Sequence, residues 1–530
     1  MPTLEIDGQA VTVEDGLNLI QAAERLGIEV PHYCYHPGLT IAGNCRMCLV
    51  EIEKSPKLQI ACNTRVAEGM VVHTQSARVK QARSAVLEFL LINHPIDCPI
   101  CDQAGECKLQ DYYMDYDRQE SRFALEDKVH KSKAIDIGPL IMLDQERCIL
   151  CTRCTRFLEE ITKTGELGVF ERGNHCAIDL FPGKRLDNPY SGNVADICPV
   201  GALTNKDFRF RARVWYLDHT PSVCAGCATG CAIDIHHRRG EILRFRPRQN
   251  PHVNQYWMCD EGRLSYKRYQ GEGRLLQPVA RDGDGWAIRG WDQARAEVRD
   301  RVQAVLAAHG ASAIAGLVSS QATNEEIFAF DDLVRSVLGG RIASLAWSPA
   351  DAAGDAFLID ADKNPNSAGL RILGRSGVDL EALLQDAASG AIRVLFLLRC
   401  ELERALGSAV LDTLAEKVDF VVVLDTHFSP TGEIADVLLP IGTFAETDGS
   451  VVNRDGRVQR LRAAFAPAAQ ARPGWLVLSE LAADVGGPAV PADAGAVFSE
   501  IGAAHAAFRQ LSHARLGDHG ALLAADASGT

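Results

Sequence analysis

Residues 94–107 read His94-Pro-Ile-Asp-Cys98-Pro-Ile-Cys101-Asp-Gln-Ala-Gly-Glu-Cys107, an imidazole and three thiols in close succession. This is the second of four such groups. Before it stand Cys34, Cys45, Cys48 and Cys62; after it come Cys148, Cys151, Cys154 and Cys198, then Cys224, Cys227, Cys231 and Cys259. Of 17 cysteines, only Cys176 and Cys400 lie outside these groups. Such spacings argue for metal binding through thiolates rather than a disulfide framework.

The spacings differ from group to group. Cys34 to Cys62 follow C-x10-C-x2-C-x13-C, which lengthens the first gap of the plant-type [2Fe–2S] pattern. The 94–107 block alone leaves the metal open, because zinc also accepts three cysteines with one histidine, and a lone histidine at a helix end is often a surface residue. Cys148, Cys151 and Cys154 reproduce the front of the bacterial ferredoxin run, and the missing fourth ligand appears at Cys198-Pro199. One [4Fe–4S] cubane is expected there and not two, since Leu158, Asn188, Ser191 and Val194 stand where ligands of a second would fall. For Cys224, Cys227, Cys231 and Cys259, seated by Gly226 and Gly230, zinc is the rival. Structural zinc more often pairs CxxC with a second CxxC, which favours iron and sulfur.

Around these groups the pattern predicts a multidomain α+β and α/β chain. Leu4 to Ile6, Asp7-Gly8 and Val11 to Val13 read as a β-hairpin, Leu17 to Leu26 as a helix, and residues 49–53 and 58–61 as short strands. A helix over 76–93 places Val79, Ala82, Val86, Phe89 and Leu90 on one face and ends at Pro95. Beyond a glycine-rich boundary at 265–290, a helix begins at Trp291, and Ala313 to Val318, Val394 to Leu398 and Phe420 to Leu424 read as buried parallel strands of a doubly wound domain. Thr323 and Glu326 form a capping box. The domains are placed at 1–77, 78–118, 119–217, 218–274 and 275–530, with a weakly patterned Ala-rich tail from Gly487 to Thr530.

A formal charge of −14 disfavours nucleic acid as a partner, and Arg209, Arg211 and Arg213 read as a local, solvated or ion-paired run. With no long apolar run and an acidic, signal-free start, neither a membrane span nor secretion is expected. No GxGxxG after a strand and no GxxxxGK[ST] occurs, so hydride chemistry would need another subunit.

The 94–107 block, Ser191-Gly-Asn-Val-Ala-Asp-Ile-Cys198-Pro-Val-Gly-Ala-Leu and Ala435-Asp-Val-Leu-Leu-Pro440 resemble the family of large iron–sulfur subunits of respiratory complex I, the bacterial NADH-quinone oxidoreductase. Glu446 to Arg457, with Asp448, Gly449, Asn453 and Gly456, is similar to a molybdopterin-oxidoreductase core. The resemblance implies an N-terminal β-grasp [2Fe–2S] ferredoxin domain, cubane-binding ferredoxin-like domains and a degenerate molybdopterin-type α/β domain. It implies one [2Fe–2S] and three [4Fe–4S] clusters on the sixteen residues, with no catalytic hydride site, flavin or molybdopterin on this chain. Electrons would come from a flavin/NADH-binding subunit and pass toward quinone, with the Cys224 cluster set apart from the path. The chain would work among other peripheral-arm subunits of the proton-translocating complex, on the cytoplasmic side of a bacterial inner membrane, touching the membrane only through the complex.

The runner-up is the large chain of an NAD-linked molybdenum formate dehydrogenase. That enzyme needs a cysteine or selenocysteine on the metal, and only Cys400, which reads as a buried structural thiol, lies beyond Cys259. The electron-transfer subunit of a soluble hydrogenase would keep the second cubane that Leu158 and its counterparts remove. A zinc-binding interaction protein is the third class.

Overall fold

The first alternating residues close into a hairpin. β1 (Thr3–Ile6) pairs antiparallel with β2 (Gln9–Thr12) across Asp7 and Gly8, both at positive φ as a two-residue hairpin loop requires. The structure is a computed structural model describing residues 1–117, 120–374 and 379–524. Its chain divides into two units, Met1–Leu217 and Asp218–Thr530.

In the first unit, β3 (Leu49–Ile52), β4 (Gln59–Ile60) and β5 (Val71–His73) join the hairpin in the order β2-β1-β5-β3-β4, with β1 and β5 parallel. The helix Leu19–Arg25 covers this sheet, and Leu19, Ile20, Ala22 and Ala23 supply its buried face. Asn18 and Gln21 start that helix with a reciprocal capping box, both bonds at 3.0 Å.

The helix Ala77–Leu91 follows, but its buried stripe is Val79, Arg83 and Leu87, spaced by four. Phe89, expected on that face, is 77% exposed. Periodicity misplaced it because a long cation holds the core side: Arg83 reaches the Tyr116 hydroxyl at 3.0 Å and the Leu49 carbonyl at 3.2 Å, and apolar counting skips such a residue. Short ladders complete the unit: β6 (Ile135–Asp136), β7 (Ile141–Leu143) and β10 (Leu203–Asn205) form one, β8 (Leu167–Phe170) and β9 (Ala177–Leu180) another.

The second unit opens with a three-stranded meander, β11 (Asp218–Val223), β12 (Ala232–Arg238) and β13 (Glu241–Pro247). A seven-stranded sheet then forms from β14 (Val279–Asp282), β15 (Gly285–Ile288), β16 (Ile314–Ser319), β17 (Arg341–Leu345), β18 (Val394–Leu398), β19 (Phe420–Asp425) and β20 (Val437–Pro440). Its order is β15-β14-β20-β19-β18-β16-β17, and the strands from β16 to β20 are parallel. Strands β16, β18 and the first five residues of β19 are buried throughout, as the continuous apolar runs require. Helices cover both faces, so the doubly wound class follows from the alternation of such runs with helical stretches.

The hairpin β21 (Gly449–Val452) and β22 (Arg457–Leu461) pairs with β23 (Ala521–Leu522). The weakly patterned end of the chain thus still builds defined elements. Helix Ala494–Ala504 buries Phe498 and Ile501, Phe508 is fully buried after it, and the tail supplies β23. Residues 525–530 of that expected tail lie outside the described residues.

Asn453 forms the turn between β21 and β22, its Oδ1 accepting from the Asp455 and Arg457 amides at 3.0 and 2.9 Å. Gly449 instead begins a strand, where an added Cβ would lie 3.0 Å from Glu325 Oε2 and 3.1 Å from Thr323 Cγ2. Close approach rather than a turn demands glycine there.

Candidate metal centres

Strand pairing assembles the first group. β3 pairs with β4 so that the Ala61 amide donates to the Cys48 carbonyl at 2.9 Å, which brings Cys48 to Cys62 on the one-turn helix Ala61–Asn63. Cys34 and Cys45 come from the loop before β3, where the Tyr33 and Cys34 amides each point at Cys45 Sγ from 3.5 Å. The four thiols form two hydrogen-bonded pairs. Cys34 is pushed down by its bond from Cys45, and Cys48 by its bond from Cys62, while the partner of each is pushed up.

The second group sits at three helix ends. His94 follows the helix Ala77–Leu91, Cys98 opens the turn Cys98–Ile100, and Cys107 occupies the N-cap of the helix Lys108–Tyr116. Burial lowers the His94 imidazole to about 4, with Lys128, Arg147 and Lys133 adding to the effect against Asp97, so the ring is neutral, the ligating form. Its Nδ1 is buried and makes no hydrogen bond. Cys98, Cys101 and Cys107 lie together, the Cys101 amide donating to the Cys98 carbonyl at 3.2 Å. Burial raises Cys101, and Cys107 to about 12. Gly201 abuts Cys101 Sγ so closely that no larger residue fits.

Arg213, read as surface charge, instead clamps this group. Its guanidinium donates to the Pro99 and Cys101 carbonyls, both at 2.5 Å. Sequence reasoning also missed Asp97 and Arg147: Arg147 Nε and Nη2 hold the Asp97 carboxylate at 3.0 and 2.6 Å, tying the second group to the residue before Cys148. Their adjacency to the ligands was the available signal.

In the third group all four thiols line one cavity of about 360 Å³ with Leu143, Ile178 and Val200. Leu150 and Thr152 hold φ of 53° and 61°, a left-handed conformation uncommon outside glycine. Two such residues flanking Cys151 curl the backbone about the cavity, and the Leu150 amide points at Cys148 Sγ from 3.4 Å. Burial raises Cys148 to about 12 and Cys151 to about 11, and lifts Cys154 and Cys198 as well. Leu158 and Val194 are fully buried, so apolar packing fills the positions a second cubane would use.

The fourth group is the loop of the β11–β12 hairpin plus a helix cap. The Cys224 amide donates to the Cys231 carbonyl at 2.8 Å, and Cys259 caps the helix Asp260–Leu264 through its sulfur, 3.3 Å from the Gly262 amide. The four thiols ring a cavity of about 340 Å³. A Cβ on Gly262 would stand 3.1 and 3.3 Å from the sulfurs of Cys224 and Cys259. The loop is tied to its own unit by Ala228 N to Asp362 O, Thr229 Oγ1 to Leu358 O and Gln459 Nε2 to Gly230 O, at 2.8 to 2.9 Å.

A larger crevice of about 2630 Å³ opens at the carboxyl ends of β16 to β19, lined by Ser319, Arg399, Asp425 and Thr447 among others. Strand order reverses between β16 and β18, where open α/β sheets place ligands. Cys400 is not among the lining residues. It is fully buried, with Sγ 3.4 Å from the Leu317 carbonyl and 3.3 Å from that of Leu398.

Five domain families match along the chain. They are a 2Fe-2S iron-sulfur cluster binding domain (1–77), an NADH-ubiquinone oxidoreductase-G iron-sulfur binding region (83–122), an NADH-quinone oxidoreductase subunit 3 ferredoxin-like domain (138–204), a molybdopterin oxidoreductase Fe4S4 domain (217–271) and molybdopterin oxidoreductase (274–369 and 366–484). The NADH-quinone oxidoreductase G subunit of Rickettsia bellii is 45% identical over 307 residues, covering 58% of this chain and 44% of that protein. The mitochondrial NADH-ubiquinone oxidoreductase 78 kDa subunit of Candida albicans is 41% identical over 336 residues, covering 63% and 46%. The match thus spans less than half the length of these curated relatives. A chain of a solved NAD+-reducing [NiFe]-hydrogenase in the H2-reduced state is 30% identical over 40% of this chain and 91% of that one, with a TM-score of 0.36, too low to bear on the fold. With iron–sulfur domains of this type in this order, and relatives at this identity over part of their length, the chain is similar to the large iron–sulfur subunits, the G subunits, of NADH-quinone oxidoreductase.

Proposed function

We propose that this chain is an electron-relay subunit in the peripheral arm of NADH:quinone oxidoreductase, carrying electrons from a flavin-binding partner toward the quinone site. The observation that carries the reading is one buried apolar cluster that contains Cys34 of the first group, Cys107 of the second and Cys151 of the third, with Cys45, Cys148 and Cys198 packed against it. Three sites share one dry wall, the arrangement that short electron steps need.

An iron–sulfur cluster, when bound, supplies a one-electron centre whose potential depends on charge, hydrogen bonds to sulfur and exposure. The residues fit such a group. Four thiols ring each of two cavities instead of meeting at a point, and among the described residues no three His, Cys, Asp or Glu side chains converge to hold a single ion. Gly201 and Gly262 leave room beside the sulfurs, and His94 Nδ1 is buried without a partner.

We assign Cys34, Cys45, Cys48 and Cys62 to a [2Fe–2S] centre, and each of the other three groups to a [4Fe–4S] centre. In each, the thiols hold, backbone amides donate to sulfur, and apolar walls exclude water. Among the described residues no helix is long and apolar enough to cross a membrane, in keeping with a peripheral place held by neighbouring subunits.

The formate-dehydrogenase alternative draws on the large crevice. Three of its wall cations, however, are already engaged, Arg399 with Glu326, Lys363 with Glu261 and Arg404 with Glu401, and Cys400 is not among its lining residues. The test is reduction by NADH. The flavin-free chain should not reduce ferricyanide with NADH, whereas its centres should be reduced once the flavin-binding partner is added; NADH oxidation by the chain alone overturns the reading.

A further inference from the structure

Arg153 and Arg156 lie one helical turn apart at the start of the helix Arg153–Glu160, between the first and third cysteine groups. Arg156 is 8% exposed. Its Nη2 donates to the Cys34 carbonyl at 2.5 Å and to the Cys151 carbonyl at 3.3 Å, Nη1 donates to the Thr40 carbonyl, and Nε reaches Thr152. Arg153 donates to the Ile197 carbonyl at 3.0 Å and to the Tyr35 carbonyl, while its Nε is buried without a partner.

Among the described residues, every one of these bonds ends on a neutral oxygen, and neither arginine forms an ion pair. Two adjacent cations in such a place are costly unless an anion faces them. Arg153 lines the cavity of the third group beside the sulfurs of Cys151 and Cys198, and Arg156 holds the backbone of both Cys34 and Cys151. Deprotonated and holding iron, the sulfurs of Cys34, Cys151 and Cys198 would give the arginines their counter-charge.

We propose that Arg156, aided by Arg153, is a positioning residue shared by the first and third centres: it ties their two loops through one guanidinium and keeps a fixed positive charge between them that raises both reduction potentials. Each reduction adds one electron, hence one negative charge, which a nearby cation stabilises in a poorly screened interior. The inference rests on the iron–sulfur reading above, and it adds that the two centres are tuned as a pair.

The test uses the intact chain, purified anaerobically and titrated with dithionite under EPR detection. Arg156→Gln should lower the one-electron reduction equilibrium of both centres about tenfold, some 59 mV each, while the Cys224-group centre stays where it was. Arg156→Lys keeps charge without the planar fork and should retain most of both potentials. Arg153→Gln, which leaves the Cys34-to-Cys151 tie in place, should move both centres in the same direction as Arg156→Gln. Unmoved potentials with intact spectra in Arg153→Gln and Arg156→Gln overturn the proposal; if Arg156→Gln loses a centre, Arg153→Gln decides by the same criterion. Absence of the iron–sulfur signals from the unsubstituted chain defeats the underlying reading instead.

Discussion

His94 is the one nitrogen donor among sixteen assigned ligands, and its buried, neutral ring with an unpartnered Nδ1 suits metal better than solvent. Replacing it by cysteine exchanges a neutral imidazole for an anionic thiolate. His94→Cys should therefore keep the second cubane and lower its potential, as the higher potential of imidazole-ligated Rieske centres leads one to expect; an EPR-monitored titration that finds no change removes His94 from the ligand set. At this scale the thiols were legible because their spacing is the chemistry. The cations around them were not, since Arg147, Arg153, Arg156 and Arg213 act through backbone carbonyls or one carboxylate that only the fold brings near.

The capping box that opens the helix Asn324–Asp331 shows what an element adds to a residue pair. Thr323 Oγ1 accepts from the Glu326 amide at 3.1 Å, and Glu326 Oε2 accepts from the Thr323 amide at 2.9 Å, as sequence spacing suggests. Glu326 also takes a two-pronged bond from Arg399, at 2.9 and 2.6 Å, which sequence does not reveal. Thr323→Ala should cost about 1 kcal/mol as a lost cap. Glu326→Ala, which strands a buried guanidinium, should cost about 3–5 kcal/mol; chemical denaturation that ranks the two equally contradicts the second role.

The fourth cysteine loop is likewise an element built into its unit, through bonds to Leu358, Asp362 and Gln459. Because metal-site binding energy acts as folding energy when the unfolded chain lacks the site, Cys227→Ala should lower the yield of assembled protein before it slows electron flow. Normal assembly with abolished transfer reverses that order. Three strands of the seven-stranded sheet, β16, β18 and β19, were readable as unbroken apolar runs. The helix Ala494–Ala504 was not, because alanine contrasts weakly with its neighbours and only Val497, Phe498 and Ile501 are large apolar markers of the buried side.

Over the whole molecule, the ferredoxin-type front and the α/β back differ in what the sequence can say. Thiol spacing narrows the cofactor to a metal centre and favours iron and sulfur, whereas the crevice at the ends of β16 to β19 arises only once the crossovers are made. The second unit is expected to bind no molybdenum, since fold alone does not carry function and Cys400 faces the Leu317 and Leu398 carbonyls. Elemental analysis and pterin fluorescence of the intact assembly check this, and one molybdenum or tungsten per chain moves the assignment to a formate-dehydrogenase-type enzyme.

Iron and acid-labile sulfide analysis of the anaerobically purified chain tests the four-cluster relay most directly. One two-iron and three four-iron centres predict about 14 iron atoms per chain with an equal amount of sulfide. Stoichiometric zinc with little sulfide contradicts it.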